Sequence, residues 1–180
     1  MTFTDIDNNV LKLYEKQVFP ESAPLLNNFS CGNTVLDDIF KNECANDFSS
    51  VTKIIVNAQS EEIICVYSLC CASMILENHN KHYPAPAVEI KYFAINTKYQ
   101  DIKSKDKDDG CLSSVILYDL MAQILSFTDE ICGANFVFLY STEEGESFYR
   151  KCGFVDFPID VWRDNSRFLD GCIPLCFKLR

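Results

Sequence analysis

VEIKYFAINTKYQDIKSKDKDDGCLSSVILYDLMAQILSF, residues 88–127, holds the change of period on which the fold turns. Val88 to Ile95 mixes β-branched and aromatic residues with partial alternation, the pattern of a strand. A polar run follows in which charges of both signs crowd together with nothing to bury, which predicts an exposed loop. From Ser113 to Phe127 the apolar residues Val115, Ile116, Leu117, Leu120, Met121, Ile124 and Leu125 recur at helical steps, so a largely buried helix is expected. NFVFLY (Asn135–Tyr140) then reads as a short buried strand. Strand, helix, strand is a crossover unit, and a crossover of this length joins parallel strands.

On the N-terminal side, VLKLYEKQVF (Val10–Phe19) reads as a strand ended by the PESAP break. A helix is expected from Asn33 to about Asp47, with Leu36, Ile39, Phe40 and Cys44 on its apolar face and Asn33 or Thr34 as N-cap. VTKIIVNA (Val51–Ala58) and IICVYSLCCASM (Ile63–Met74) flank the polar turn QSEE and predict an antiparallel hairpin whose second strand is central. A polar loop should follow, holding His79 and His82 and broken by Pro84 and Pro86. On the C-terminal side a short helix is expected over Glu143–Lys151 with Gly153 just past its end, then final strands at Trp162–Arg163 and Ile173–Leu179. The fold class is α/β: one domain over residues 1–180, with a single mixed, largely antiparallel sheet flanked by helices.

Sixteen Lys and Arg against twenty-six Asp and Glu give a net charge of −10. That balance attracts cations and repels phosphate backbones, so a cationic acceptor or ligand is favoured over nucleic acid. The opening MTFTDIDNNV is acidic without an apolar core, and no segment approaches the ~18 consecutive apolar residues of a membrane span. The expectation is a cytoplasmic protein without membrane association, its ten cysteines free thiols. Cys65, Cys70 and Cys71 lie inside an apolar run, where cysteine acts as a small hydrophobe. The nearest approaches to metal-ligand spacing are Cys172 with Cys176 and His79 with His82, and no metal is expected. Gly-x-Ser-x-Gly, Gly-x-Gly-x-x-Gly and Walker loops are absent from the sequence.

Three separated segments resemble the GNAT family of acyl-coenzyme A dependent N-acetyltransferases. FSCGNTVLDDIF (Phe29–Phe40) is similar to the Phe-x-Cys-Gly-x-x-x-Leu-Asp opening of one branch, which includes acetyltransferase toxins acting on aminoacyl-tRNA. VEIKYFAINTKYQ and the helix after it resemble the strand, pyrophosphate loop and helix of the cofactor site. There Gln100 is present, but IKSKDKDD intervenes before Gly110, and either Gly110 or Cys111 can hold the first glycine position. STEEGESFYRKCGF (Ser141–Phe154) is similar to Asn-x-x-Ala-x-x-Phe/Leu-Tyr-x-x-x-Gly-Phe, with Thr142 and Gly145 where Asn and Ala are common.

The resemblance implies a GNAT fold with a splayed central strand, acetyl-CoA as co-substrate, and direct transfer of the acetyl group to a primary amine. Tyr149 would be the general acid for the departing thiolate, and Glu89 is the candidate base. Phe93, Ala94 and Ile95 would face the pantetheine arm and supply the oxyanion donor. Gln100, Gly110, Cys111, Leu112, Ser113 and Ser114 would form the pyrophosphate site at the helix start. Lys103, Lys105 and Lys107 are open to two readings, partners of the 3′-phosphate or a solvated charge run. With the acidic balance, the acceptor is expected to be a cationic small molecule or peptide, and nucleic acid is disfavoured. Two alternatives stand beside this: a toxin that acetylates aminoacyl-tRNA, and a coenzyme A-binding module without catalysis. A homodimer is compatible with every reading.

Overall fold

The computed structural model describes residues 1–79, 81–106, 110–158 and 171–179. Its single sheet of eight strands has the order β1-β2-β3-β4-β5-β6-β8-β7. The strands are β1 (Thr2–Thr4), β2 (Val10–Gln17), β3 (Val51–Asn57), β4 (Ile63–Asn78), β5 (Lys81–Ile95), β6 (Phe136–Ser141), β7 (Val155–Asp156) and β8 (Ile173–Lys178). Helices α1 (Thr34–Asn42), α2 (Leu112–Glu130) and α3 (Glu143–Lys151) complete it. β5 and β6 are parallel, paired at Ala87 with Phe136, Val88 with Val137 and Glu89 with Phe138. Pairs β1–β2, β2–β3, β3–β4, β6–β8 and β7–β8 are antiparallel. The mixed, largely antiparallel α/β sheet is therefore the one the element order predicts.

The expected histidine loop is not a loop. β4 runs four residues beyond Met74, and β5 begins at Lys81, so His79, in the left-handed region at φ 49°, opens a tight connection. Pro84 and Pro86 lie inside β5. A strand tolerates proline where its missing N–H faces no partner. The Pro86 carbonyl accepts from Asn135 N at 2.8 Å, so residue 86 directs its polar groups towards the side of β6, where the ladder begins only at Ala87. Pro84, two residues earlier, points the same way, and neither ring costs a rung.

Two compact units emerge from the contacts, Met1–Leu69 with Tyr92–Leu117, and Cys70–Lys91 with Tyr118–Arg180. In the first, Phe40 of α1 and Phe29 before it meet edge to face at 5.5 Å, and Tyr92 of β5 reaches Phe40 at 5.8 Å. Full burial of each ring contributes about 1.5–3 kcal/mol, enough to seat a helix of nine residues. In the second, Phe138 of β6 is the hub, with Phe157 at 5.8 Å and Tyr140 at 6.0 Å. The parallel ladder of β5 with β6 ends at Glu89.

Three other expectations need correction. α1 stops at Asn42, and a 3₁₀ turn at Cys44–Asn46 carries the chain on. α2 is buried on one side only, with Tyr118, Leu125 and Phe127 exposed, because its apolar stripe is wider than the surface it covers. The charged run after β5 does bury residues: Tyr99 and Ser104 are inside, and bridges join Asp5 to Ser104 and Lys103 to Cys111. The strand expected at Trp162–Arg163 lies outside the described residues.

α3 spans the expected Glu143–Lys151 and ends at the expected glycine, while its N-cap, Thr142, is a finding of the structure. The Thr142 side chain accepts from Gly145 N at 3.2 Å, and Gly153 follows the helix at φ 93°. A Cβ on Gly153 would stand 3.2 Å from the Phe177 ring. Gly153→Ala should lower unfolding stability by about 1–2 kcal/mol, the usual cost of a side chain in left-handed backbone, read from urea denaturation midpoints.

Candidate functional site

In the first unit the Phe29–Phe40 segment forms a knot of polar bonds. Asn33 caps α1, its Oδ1 accepting from Val35 N and Leu36 N at 3.1 Å each. Asp37, in the first turn, accepts from Ser30 Oγ at 2.6 Å and Cys31 N at 2.8 Å. Burial pushes the Asp37 carboxyl up, but these bonds and Lys41 outweigh it and hold the group below the usual carboxylate range. Gly32, at φ 87°, lets the turn lie against Thr97, whose Cγ2 would stand 3.2 Å from a Cβ there. Burial raises the Cys31 thiol to about 11, so it is no nucleophile at neutral pH.

This knot is fastened to the end of β5 and the start of α2. Gln100 Nε2 donates to Cys31 O at 2.8 Å and to Ile95 O at 3.0 Å, and Ser113 Oγ donates to Gln100 O at 3.5 Å. Of the residues the sequence assigns to the cofactor, the structure therefore brings together Ile95, Gln100 and Ser113. Gln100 spends its amide hydrogens inside the protein, as a brace between strand and motif.

At the helix start Gly110 is left-handed at φ 73°, and a Cβ there would stand 3.0 Å from Ser114 Oγ. The glycine and the N-terminus of a nineteen-residue helix suit a pyrophosphate. Two amide hydrogens in this set are committed internally, Cys111 N to Ser114 Oγ at 3.0 Å and Leu112 N to Ile102 O at 2.8 Å. The donor set is narrower than a glycine-rich loop would give. The lysine run leans on β1: Lys105 N donates to Thr4 O, Ile6 N to Lys103 O, and Lys105 Nζ to Asn8 Oδ1 at 2.7 Å. Lys107 lies outside the described residues. Sequence reasoning missed β1 altogether, since TFT carries no periodic signal.

In the second unit Glu89 is half-buried on the last rung of the parallel ladder, opposite Phe138. Cys70 Sγ, on β4, donates to Glu89 Oε2 at 3.4 Å. Tyr149 is buried in α3, its ring 5.1 Å from Phe148 and 5.8 Å from Phe154. The substitutions flanking it have local reasons. Thr142 supplies the helix cap, and at Gly145 a Cβ would fall 2.9 Å from Ser141 Oγ and 3.4 Å from the Tyr149 ring. Among the described residues no three His, Cys, Asp or Glu side chains group as a metal site, and no helix is long and apolar enough to cross a membrane.

No family model and no curated protein matches the chain. Solved structures do. A bacterial toxin matches at TM-score 0.70 with 17% identity, over 94% of this chain and 92% of that one. AtaTR bound with AcCoA matches at 0.66 with 17% identity, over 93% of each chain. AtaT complexed with acetyl-methionyl-tRNAfMet matches at 0.66 with 16% identity, over 93% and 95%. The fold is the GNAT fold of these toxins.

Asp37→Ala should cost about 1–3 kcal/mol, since the Ser30 hydroxyl and Cys31 amide would lose their acceptor. Because the folded Asp37 pKa lies below its unfolded value, that stabilisation is complete above about pH 4 and fades as pH falls through the lowered pKa. Urea titrations of wild type and variant should diverge at pH 7 and converge in acid.

Proposed function

We propose that this chain is a GNAT-family N-acetyltransferase that takes the acetyl group of acetyl-CoA to the α-amine of an aminoacyl-tRNA. The observation that carries the reading is the likeness over more than nine-tenths of both chains to a toxin complexed with acetyl-methionyl-tRNAfMet. It replaces the cationic small-molecule acceptor as the first choice, and the expectation against nucleic acid goes with it. Net charge sums the whole surface, whereas phosphate contacts need only a local cluster of cations. The −10 balance still favours one rival, a polyamine or other small cationic amine.

In this reading the pyrophosphate lies at the start of α2, against Gly110 to Ser114. The pantetheine arm follows Phe93 to Ile95, whose backbone supplies the donor for the developing oxyanion. Glu89 accepts a proton from the attacking amine, and Tyr149 gives its phenol proton to the departing thiolate. A phenol near pKa ~10 is a competent acid for a thiolate of pKa roughly 8 to 9.

The test is a labelled-acetyl assay offering methionyl-tRNA and spermidine side by side. Label in the tRNA fraction is expected; label in spermidine alone would transfer the reading to the small amine. Acetyl-CoA binding by calorimetry without label in either would identify a non-catalytic module. Tyr149→Phe should lower turnover by roughly 10²-fold or more with acetyl-CoA affinity unchanged, and full turnover would remove the general-acid role.

A further inference from the structure

We propose that Cys70 is a positioning residue for Glu89, its thiol holding the carboxylate in the orientation from which it accepts the proton of the amine. The inference rests on the transferase reading for its consequence, but its geometry is independent of it. Among the described residues, Cys70 Sγ is the donor to the Glu89 carboxylate, at 3.4 Å from Oε2. Both residues are half-buried on neighbouring strands of the sheet, so neither backbone can drift. Glu89 is also fixed on its other side, by the rung to Phe138.

A glutamate has three rotatable bonds between its backbone and its carboxylate oxygens, and in a half-buried setting something must choose between its rotamers. A thiol does this at little cost. It is a weak donor, so it fixes one oxygen without competing strongly for the charge that makes the group a base. Arginine or lysine in the same place would fix it more firmly and disarm it. An apolar residue would pack equally well and leave the carboxylate undirected, which is how the sequence alone reads Cys70. In the step itself the amine proton passes to Glu89 and Cys70 keeps its own proton, so no bond to sulfur is made or broken.

The experiment has two arms. In the first, site-resolved alkylation of Cys70 by iodoacetamide is followed by mass spectrometry in wild type and Glu89→Gln at one pH. Removing the acceptor charge should speed alkylation by about three- to tenfold, since a thiolate beside a carboxylate is disfavoured. Equal rates would overturn the contact, whatever the protein catalyses. In the second, Cys70→Ala should lower kcat about three- to tenfold with KM unchanged, the order of one lost orienting hydrogen bond. Cys70→Ser should restore most of it, and Cys70→Ala should change nothing further in a Glu89→Gln background. Cys70→Ala with full kcat would overturn the positioning role. Faster alkylation in Glu89→Gln, with no acceptor acetylated by wild type, would sink the transferase reading and leave the contact standing without its catalytic purpose.

Discussion

One side-chain amide holds the first half of the candidate site together. Gln100 lies after the end of β5, and its two hydrogens reach the carbonyls of Ile95 and Cys31. Each bond is worth only about 1 kcal/mol net, yet between them they set where the strand ends relative to the Phe29–Phe40 turn. The turn is rigid on its own account, because Asp37 binds Ser30 and Cys31 while Asn33 caps the same helix. Ser113 then takes its place from the Gln100 carbonyl. The strand end and the helix start are thus both referred to one braced corner.

The parts of this arrangement legible in the sequence were those written in local pattern. The Asn33 cap, the Glu143–Lys151 helix, Gly153 beyond it and the β3–β4 hairpin all follow from residues within a few positions of one another. The parts that were not legible depend on distant partners. Pro84 and Pro86 signal a break unless one knows that β6 begins pairing at Ala87. The charged run looks solvated unless one knows that β1 lies against it. Cys70 looks like packing because its partner, Glu89, is nineteen residues away.

The acidic balance also changes meaning in the structure. Several of the cations are already engaged, Lys53 with Glu15, Lys98 with Glu62, and Arg150 with Glu146 and Asp156. Exposed pairs of this kind add little stability, but they do remove positive charge from what an anionic partner meets. Any tRNA contact would draw on cations outside these pairs, and its affinity would fall as salt rises.

The short β1 strand has a further consequence for how copies of this protein can meet. A sheet edge with a run of unsatisfied amides invites another chain to add a strand. Here β1 is three residues long, and Thr4 O already accepts from Lys105 N while Ile6 N, just past the strand, is spent on Lys103 O. An added strand would find the ladder already taken at Thr4 and Ile6 from within the same molecule, which shortens the edge on which the sheet could template its own growth into fibres.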